Sequence, residues 1–328
     1  MIDVMVDDKG TQDVQPEPTQ ENLPKEAQNS RGSYAPLLFF VFASLLYMVL
    51  SIQIIDAKYV DFGDGNYLYL SWRLAEGEVL YQDLPSPQPP LHLFVGGALL
   101  WLTGGDPVLV RLWQVVQHVL IACCVVGIAS RIFKNSAISF LAGTIYLFLP
   151  EGVWWAAGYQ SEGLLILLQS FNVLLFLTAI EQEKPSLALY GSAVTSALCC
   201  FVNMTALPYM ALQWFFVWFR YRHSFYRYST ALIVPGLLLF GYMVFYSNGQ
   251  YLEHVFNRQV GTYPTDSLWG MLAYFAEKLY TEGGDILYYE GGFVFAAMAG
   301  LFLFAGDEEN EFAKDYTLWW GGFSIGSI

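Results

Sequence analysis

Charged residues are scarce in this chain, and positive charge is the scarcest. Of its 328 residues only 13% are charged and 55% are hydrophobic, and Lys and Arg together number 15 against 29 Asp and Glu. This balance does not fit a soluble globular domain. A formal net charge of −14 also argues against nucleic acid as a partner, because phosphate binding requires clustered Lys and Arg.

Cysteine is rare as well. The four cysteines form two adjacent pairs, Cys123-Cys124 and Cys199-Cys200, inside apolar runs. Neither pair has the two-residue gap of a zinc hairpin, and buried thiols act as small hydrophobic groups. The sequence also has no glycine-rich phosphate loop, nucleophile elbow or zinc signature, which excludes soluble-type kinases and hydrolases.

Long apolar runs make up most of the chain and predict an all-α, polytopic helical membrane protein. Residues 1–33 are polar and acidic, and we expect them to form a disordered cytoplasmic tail. Residues 34–328 form the predicted multi-span membrane domain, which begins with a span of about twenty residues at 36–55. Arg31 favours a cytoplasmic N terminus. The final apolar stretch from Tyr316 is about half a span, so we expect the natural chain to continue further.

The orientation of the later spans depends on one short apolar run, Leu91–Thr103. As a helix it would extend about 20 Å against a hydrocarbon core of about 30 Å, so we predict that it lies along the membrane surface. Counting it as a span would place a basic cluster outside, against the positive-inside rule. That cluster comprises Arg220, Arg222 and Arg227. The remaining predicted spans are residues 108–130, 137–149, 163–180, a hairpin within 187–219 that turns near Asn203 and Pro208, 230–246 and 292–305.

The insert, defined as residues 61–90, is the most promising place for chemistry. It is a long polar and aromatic segment between apolar runs, with a helix-like part at residues 66–76. Asp64 lies between Gly63 and Gly65, where the backbone can turn and a bulky substrate can approach. Its carboxylate is a candidate general base for an acceptor hydroxyl. The same position also suits the N-cap of a helix, and both roles can coexist.

Other polar residues near the predicted outer surface are candidates too. Glu162 could face Asp64 across one cavity, although an acid at a helix start is also favoured by the helix dipole. Glu151 competes with it in the same loop. Arg111 could bind a lipid-linked phosphate or extend to headgroups. His92 is predicted to be external, where it could bind metal or phosphate or be an ordinary surface residue.

The aromatic residues of the insert have two interpretations. Tyr67, Tyr69, Trp72 and Tyr81 fit a belt of interfacial aromatic side chains, and they also fit a stacking platform for sugars. His254 lies in a second predicted external region and has the same alternatives as His92.

The insert also carries a spaced motif that resembles a known family. Asp64, Tyr67, Gly77, Tyr81 and Asp83 are followed by Gln88-Pro89-Pro90-Leu91. This pattern is similar to the GT-C class of membrane glycosyltransferases, of the protein O-mannosyltransferase or aminoarabinose transferase type (RgtA/B/C/D-like). The resemblance covers residues 36–289. It implies a large first external loop that contains two interfacial helices, in agreement with the length argument for Leu91–Thr103.

The resemblance implies an inverting enzyme that transfers a sugar from a polyprenyl-phosphate donor to a hydroxyl of a lipid, protein or glycan acceptor, at the external face of the cell membrane. The implied catalytic acids are Asp64 and Glu162. The implied phosphate-binding residues are Arg111, His254 and Arg258, and the implied substrate-binding residues are Asp61, Tyr67, Tyr81, Asp83 and Gln88.

Two departures from the family pattern concern metal binding. Gly65 stands where many members have a second acid, and Gln88 stands where many have Lys. Both weaken the argument for a bound divalent metal, which stays open as the one possible cofactor. The rival interpretations are a transporter or lipid flippase and an inactive membrane scaffold. Broken helices in paired halves and charged residues at mid-membrane would favour a transporter, but the predicted spans are nearly free of charge.

Overall fold

The computed structural model of the protein describes residues 34–55, 62–149, 153, 158–182 and 186–257. Within these ranges the chain forms α-helices and short turns, and its β-structure is limited to an isolated bridge between Leu80 and Leu84. The predictions for residues 1–33 and 292–305 lie outside the described residues. The same holds for Asp61, Glu151 and Arg258, which were predicted or weighed as functional residues, and for the apolar stretch from Tyr316.

The α-helices follow the apolar runs of the sequence. In chain order they are α1 (Ala35–Ile55), α2 (Phe62–Ala75), α3 (Leu91–Thr103), α4 (Pro107–Phe133), α5 (Ser136–Leu147), α6 (Ser161–Glu181), α7 (Leu187–Val202), α8 (Leu207–Arg220) and α9 (Arg222–Tyr246). A 3-10 turn at Met204–Ala206 joins α7 to α8, and a π-helical turn at Leu252–Asn257 follows α9.

Four of these helices, α1, α4, α6 and α9, are long and apolar enough to cross a membrane. This confirms the predicted all-α class and supports a membrane location. Three other segments predicted as spans form shorter helices: α5 has 12 residues, α7 has 16 and α8 has 14. At about 1.5 Å per residue, α5 is only about 18 Å long, so its membrane crossing stays a prediction.

Local sequence sets the starts of α4 and α5 and the end of α3. Asp106 caps α4 by accepting from the Val108 N–H, with Pro107 at the first helical position. Asn135 caps α5, accepting from the N–H groups of Ala137 and Ile138. Gly104, with φ 71°, ends α3 in the left-handed conformation that glycine adopts without strain.

Two predicted boundaries were wrong. The helix of the insert begins at Phe62, ahead of the predicted start at residue 66. Likewise α9 begins at Arg222, eight residues before the predicted position 230, so the basic residues there lie on a helix and not in a loop. Tyr228 explains the extension, since it is buried in the apolar cluster shared with α6, α7 and α8, and this packing stabilises the first turns of α9.

Two long-range hydrogen bonds show which helix ends lie together. Arg111, near the start of α4, donates to the carbonyl oxygen of Ile55 at the end of α1, with an Nη1 to O distance of 3.2 Å. Gln82 of the insert donates to the carbonyl oxygen of Tyr246 at the end of α9 at 2.9 Å. The insert and α3 therefore leave from and return to the same end of the helix bundle.

Candidate functional site

Asp64 and Arg111 form a buried ion pair at this end of the bundle. Arg111 Nη2 lies 2.5 Å from Asp64 Oδ2, and its Nε donates to Oδ1 at 3.3 Å. The Asp64 side chain is fully buried and that of Arg111 is 16% exposed. A two-point contact between a guanidinium and a carboxylate pairs their opposite charges and also fixes the orientation of one group relative to the other.

The chain supplies a third contact to Asp64 from a distant segment. The backbone N–H of Tyr159, just before α6, donates to Asp64 Oδ1 at 2.7 Å. Asp64 itself lies in the first turn of α2, where the positive end of the helix dipole favours a carboxylate. Because α2 begins before Asp64, the prediction of an N-cap at this residue was wrong. The pair thus joins α1, α2, α4 and the segment before α6.

His92 packs against Tyr159, so the alternative that it is an ordinary surface residue was wrong, and its predicted external location stays a prediction. The residue is 1% exposed. It stacks on the Tyr159 ring with a centroid distance of 4.0 Å and meets the Tyr67 ring edge-on at 5.1 Å. Burial lowers the pKa of His92 to about 3, so the ring is neutral at physiological pH. We call the group formed by Asp64, Arg111, Tyr159 and His92 the Asp64 site.

The neutral imidazole carries one N–H donor and one nitrogen acceptor, and neither Nδ1 nor Nε2 has a hydrogen-bond partner among the described residues. Leaving a buried polar group without a partner costs about 1–3 kcal/mol. Native proteins contain few such groups, and each one calls for an explanation.

Gly96 allows the aromatic packing that holds the site together. The Tyr159 hydroxyl donates to the carbonyl oxygen of His92 at 2.6 Å. A Cβ atom added at Gly96 would lie 2.6 Å from that hydroxyl and 2.8 Å from Cε1 of the same ring. The absence of a side chain at Gly96 is therefore what lets Tyr159 lie against α3 and present its N–H to Asp64.

A second group of polar atoms surrounds Tyr81. The Tyr81 hydroxyl donates to the carbonyl oxygen of Gln88 at 2.7 Å, and its ring stacks on His254 at 6.3 Å and packs against Tyr251 at 5.2 Å. Burial raises the pKa of Tyr81 far above its ordinary value. Gln88 Oε1 and His254 Nδ1 are buried and have no hydrogen-bond partner within the described ranges. The structure thus brings together three residues predicted to bind donor or substrate.

The two remaining acids have local contacts. Asp83 Oδ2 accepts from the Val79 N–H at 2.9 Å, which closes the turn after α2. The Glu162 side chain is exposed on the first turn of α6, and its Oε2 accepts from the Ser161 hydroxyl at 3.2 Å. The catalytic role predicted for Glu162 and the substrate contact predicted for Asp83 stay predictions.

A buried polar face continues from Arg111 along α4. Gln114, Gln117 and His118 follow at helical spacing, and all three are buried. His118 Nδ1 lies 3.1 Å from the Tyr146 hydroxyl. Both side-chain polar atoms of Gln117 lack a partner among the residues that the structure describes. Sequence reasoning did not identify this face.

Across the described residues, no three His, Cys, Asp or Glu side chains converge as a metal-binding group. The possible divalent metal stays a prediction. Comparison with protein-family models, with curated proteins and with solved structures finds no match for this chain. The resemblance to a glycosyltransferase family therefore depends on the motif of the insert.

Tyr159 is the site residue that sequence reasoning missed. It contributes through its backbone N–H and through the face of its ring, and every residue type except proline supplies a backbone N–H. The available signal was its position three residues before Glu162, in the loop already suspected of meeting Asp64. Gly96 gave no signal, because a glycine inside an apolar helix has many explanations.

Proposed function

We propose that this protein is a membrane glycosyltransferase that moves a sugar from a polyprenyl-phosphate donor to an acceptor hydroxyl. The observation that carries the proposal is the buried pair of Asp64 and Arg111, which places a carboxylate and a guanidinium side by side where the insert meets the apolar helices. An inverting transfer from a lipid phosphate needs both a base for the acceptor and a cation for the leaving group.

In this mechanism the donor phosphate competes with Asp64 for Arg111. A phosphate matches the fork of a guanidinium as well as a carboxylate does. Once released, Asp64 takes the proton from the acceptor hydroxyl, whose oxygen attacks the anomeric carbon. The bond from that carbon to the phosphate oxygen breaks, and the phosphate leaves with the electron pair while Arg111 stabilises its charge. Glu162 is proposed as the second acid, reached through movement of the segment before α6.

The proposed location is the outer surface of the cell membrane, with α2 and α3 lying along it. This assignment is supported by the shared position of the end of α1 and the start of α4, which leaves α3 no need to cross. It is also supported by the basic residues Arg131 and Lys134, which lie at the far end of α4 from Arg111. A donor with a polyprenyl tail is confined to such a surface.

Loss of transfer in an Asp64→Asn variant tests the proposal. The full chain would be expressed in membranes supplied with polyprenyl-phosphoryl hexoses and pentoses, and new glycoconjugates in lipids, proteins and glycans would be identified by mass spectrometry. We expect products with the wild type and none with Asp64→Asn at equal expression. Retained transfer by the variant would show that Asp64 is not the base.

A transporter is the second candidate, and the polar face of α4 favours it. Polar groups buried among membrane-crossing helices are costly and mark pathways for polar molecules. A transporter would move labelled lipid-linked sugar across a vesicle bilayer without forming a glycosidic product. Transport would also depend on Gln117, whereas the proposed sugar transfer does not involve that side chain.

A further inference from the structure

The unpartnered imidazole of His92 is the feature of the Asp64 site that the proposed transfer chemistry leaves unused. The ring is enclosed by Tyr159 on one face and by the edge of Tyr67. These two aromatic residues also frame Asp64, since Tyr67 is on the next turn of α2 and the Tyr159 N–H binds the carboxylate. The imidazole is therefore linked to Asp64 through Tyr159, whose ring stacks on it and whose N–H binds the carboxylate.

We propose that His92 binds a hydroxyl group of the donor sugar through one of its ring nitrogens, neither of which has a partner in the described part of the chain. This inference rests on the proposed function and names a specificity residue within it. A sugar hydroxyl can accept from the N–H of a neutral imidazole or donate to its bare nitrogen. Bound sugar would satisfy one atom that is otherwise buried at a cost.

Two other ligand types fit His92 less well. A phosphate binds a cationic partner more strongly than a neutral one, and burial keeps this imidazole neutral, with its pKa lowered to about 3. A metal ion requires several converging ligands, and within the described residues no such group includes His92. The charge of the donor phosphate is matched instead by Arg111, which leaves the uncharged sugar for His92.

The His92 ring is buried in this structure, so the sugar must separate His92 from Tyr159 to reach a ring nitrogen. Tyr159 lies in the short segment before α6, whose backbone is joined to the insert through the Asp64 hydrogen bond. A sugar-bearing donor that opens the stack of these two rings gains contacts that bare polyprenyl phosphate does not.

The test compares three probes on the full chain in lipid nanodiscs: decaprenyl phosphate, decaprenyl-phosphoryl mannose and decaprenyl-phosphoryl arabinose. The His92→Phe variant keeps a stacking ring and removes both nitrogens. We expect the wild type to bind a sugar-bearing probe more tightly than decaprenyl phosphate. His92→Phe should weaken that probe by about 3- to 10-fold, the effect of one lost hydrogen bond, and leave decaprenyl phosphate unchanged.

Controls separate this inference from the proposed function. The same substitution at an exposed histidine of α9, His223→Phe, should change none of the three affinities. If the wild type binds no probe, the proposed function itself fails. If it binds all three probes equally, or if His92→Phe binds sugar-bearing probes as the wild type does, the sugar contact is refuted while the transferase proposal stands.

A measurement on the unmodified protein tests the same contact even if the His92→Phe variant does not fold. The chain has four histidines, so their ring nitrogens can be resolved by NMR after selective labelling with 15N-histidine. Addition of the sugar-bearing probe should shift the His92 ring resonances, and decaprenyl phosphate should not. Unchanged His92 resonances under saturating sugar-bearing probe would overturn the proposal.

Discussion

Replacing Asp64 by Asn should destabilise the protein through Arg111. The substitution keeps the shape of the side chain and one oxygen that accepts from the Tyr159 N–H, but it sets an amide NH2 against the guanidinium. Breaking a buried ion pair by removing one partner costs about 3–5 kcal/mol. Because Arg111 keeps 16% exposure, we expect the lower value, about 3 kcal/mol, and a fall in Tm on the order of 5–10 °C.

A double variant separates this structural cost from the proposed chemistry. Arg111→Gln alone should also destabilise, because it leaves the buried Asp64 carboxylate without its cation. In Asp64→Asn with Arg111→Gln, two uncharged amides face each other and no buried charge remains. We therefore expect the double variant to recover stability, with a cost below the sum of the single costs by about 2 kcal/mol or more.

The assay is thermal unfolding of all four proteins in one detergent, followed by sugar transfer on the same samples. Arg73 and Glu78 provide a matched control, since their ion pair is partly exposed, at 34% and 27% for the two side chains. Glu78→Gln should change stability by at most about 1 kcal/mol. All variants that lack Asp64 should be inactive, including the stable double variant.

Two results would refute this reasoning. Additive costs in the double variant, within about 0.5 kcal/mol, would show that Asp64 and Arg111 are not energetically coupled. A stable double variant that still transfers sugar would show that the pair is structural and that Asp64 is not the base of the transfer.

Three further predictions concern the surroundings of the site and the helix packing. Gly96→Ala should displace Tyr159 and cost about 1–3 kcal/mol, measured by thermal unfolding, with Gly236→Ala as a control where the added Cβ meets nothing. Asn172→Leu should cost about 1–3 kcal/mol, because Asn172 accepts from the Tyr209 hydroxyl at 2.6 Å, and unchanged unfolding would contradict this. His92 has its pKa lowered from 6.5 to about 3, so its contribution to stability is present above pH 6.5 and is lost on acidification, because the unfolded chain binds a proton that the folded chain does not. Tm should therefore fall less in His92→Phe than in the wild type between pH 6.5 and 4.5, and equal falls would contradict the assignment.

The lengths of the apolar runs predicted most helices correctly, because a run of apolar residues is a property of the local sequence and does not depend on which segments pack together. The bounds of α3 were correct to the residue, and the break between α7 and α8 was placed near Asn203 as observed. The start of α9 was missed because a polar and aromatic segment has no clear helix signal of its own. There Tyr228 is buried against other helices, and such long-range packing overrides local pattern.

The site was only partly predictable for the same physical reason. Asp64 and Arg111 were both singled out, because each is an ionisable residue next to an apolar run. Their pairing was not predicted, since 47 positions separate them and only the fold brings them within hydrogen-bond distance. His92 was weighed as an ordinary surface residue, because a lone histidine is more often such a residue than a ligand. Its burial depends on Tyr159, which the sequence did not identify.

Cysteine labelling tests the arrangement on which the site depends. The four native cysteines would be replaced, and single cysteines introduced by Pro85→Cys, Gln160→Cys and Ser136→Cys. Position 160 follows Tyr159, which contacts Asp64, and position 85 lies in the insert three residues after Gln82, which contacts the end of α9. Ser136 begins α5 beyond the far end of α4, a helix of 27 residues and about 40 Å. An impermeant maleimide added to intact cells should label positions 85 and 160 and not 136. Labelling of 85 and 160 from opposite sides would mean that α3 crosses the membrane, and Asp64 and the segment before α6 could then not form one site.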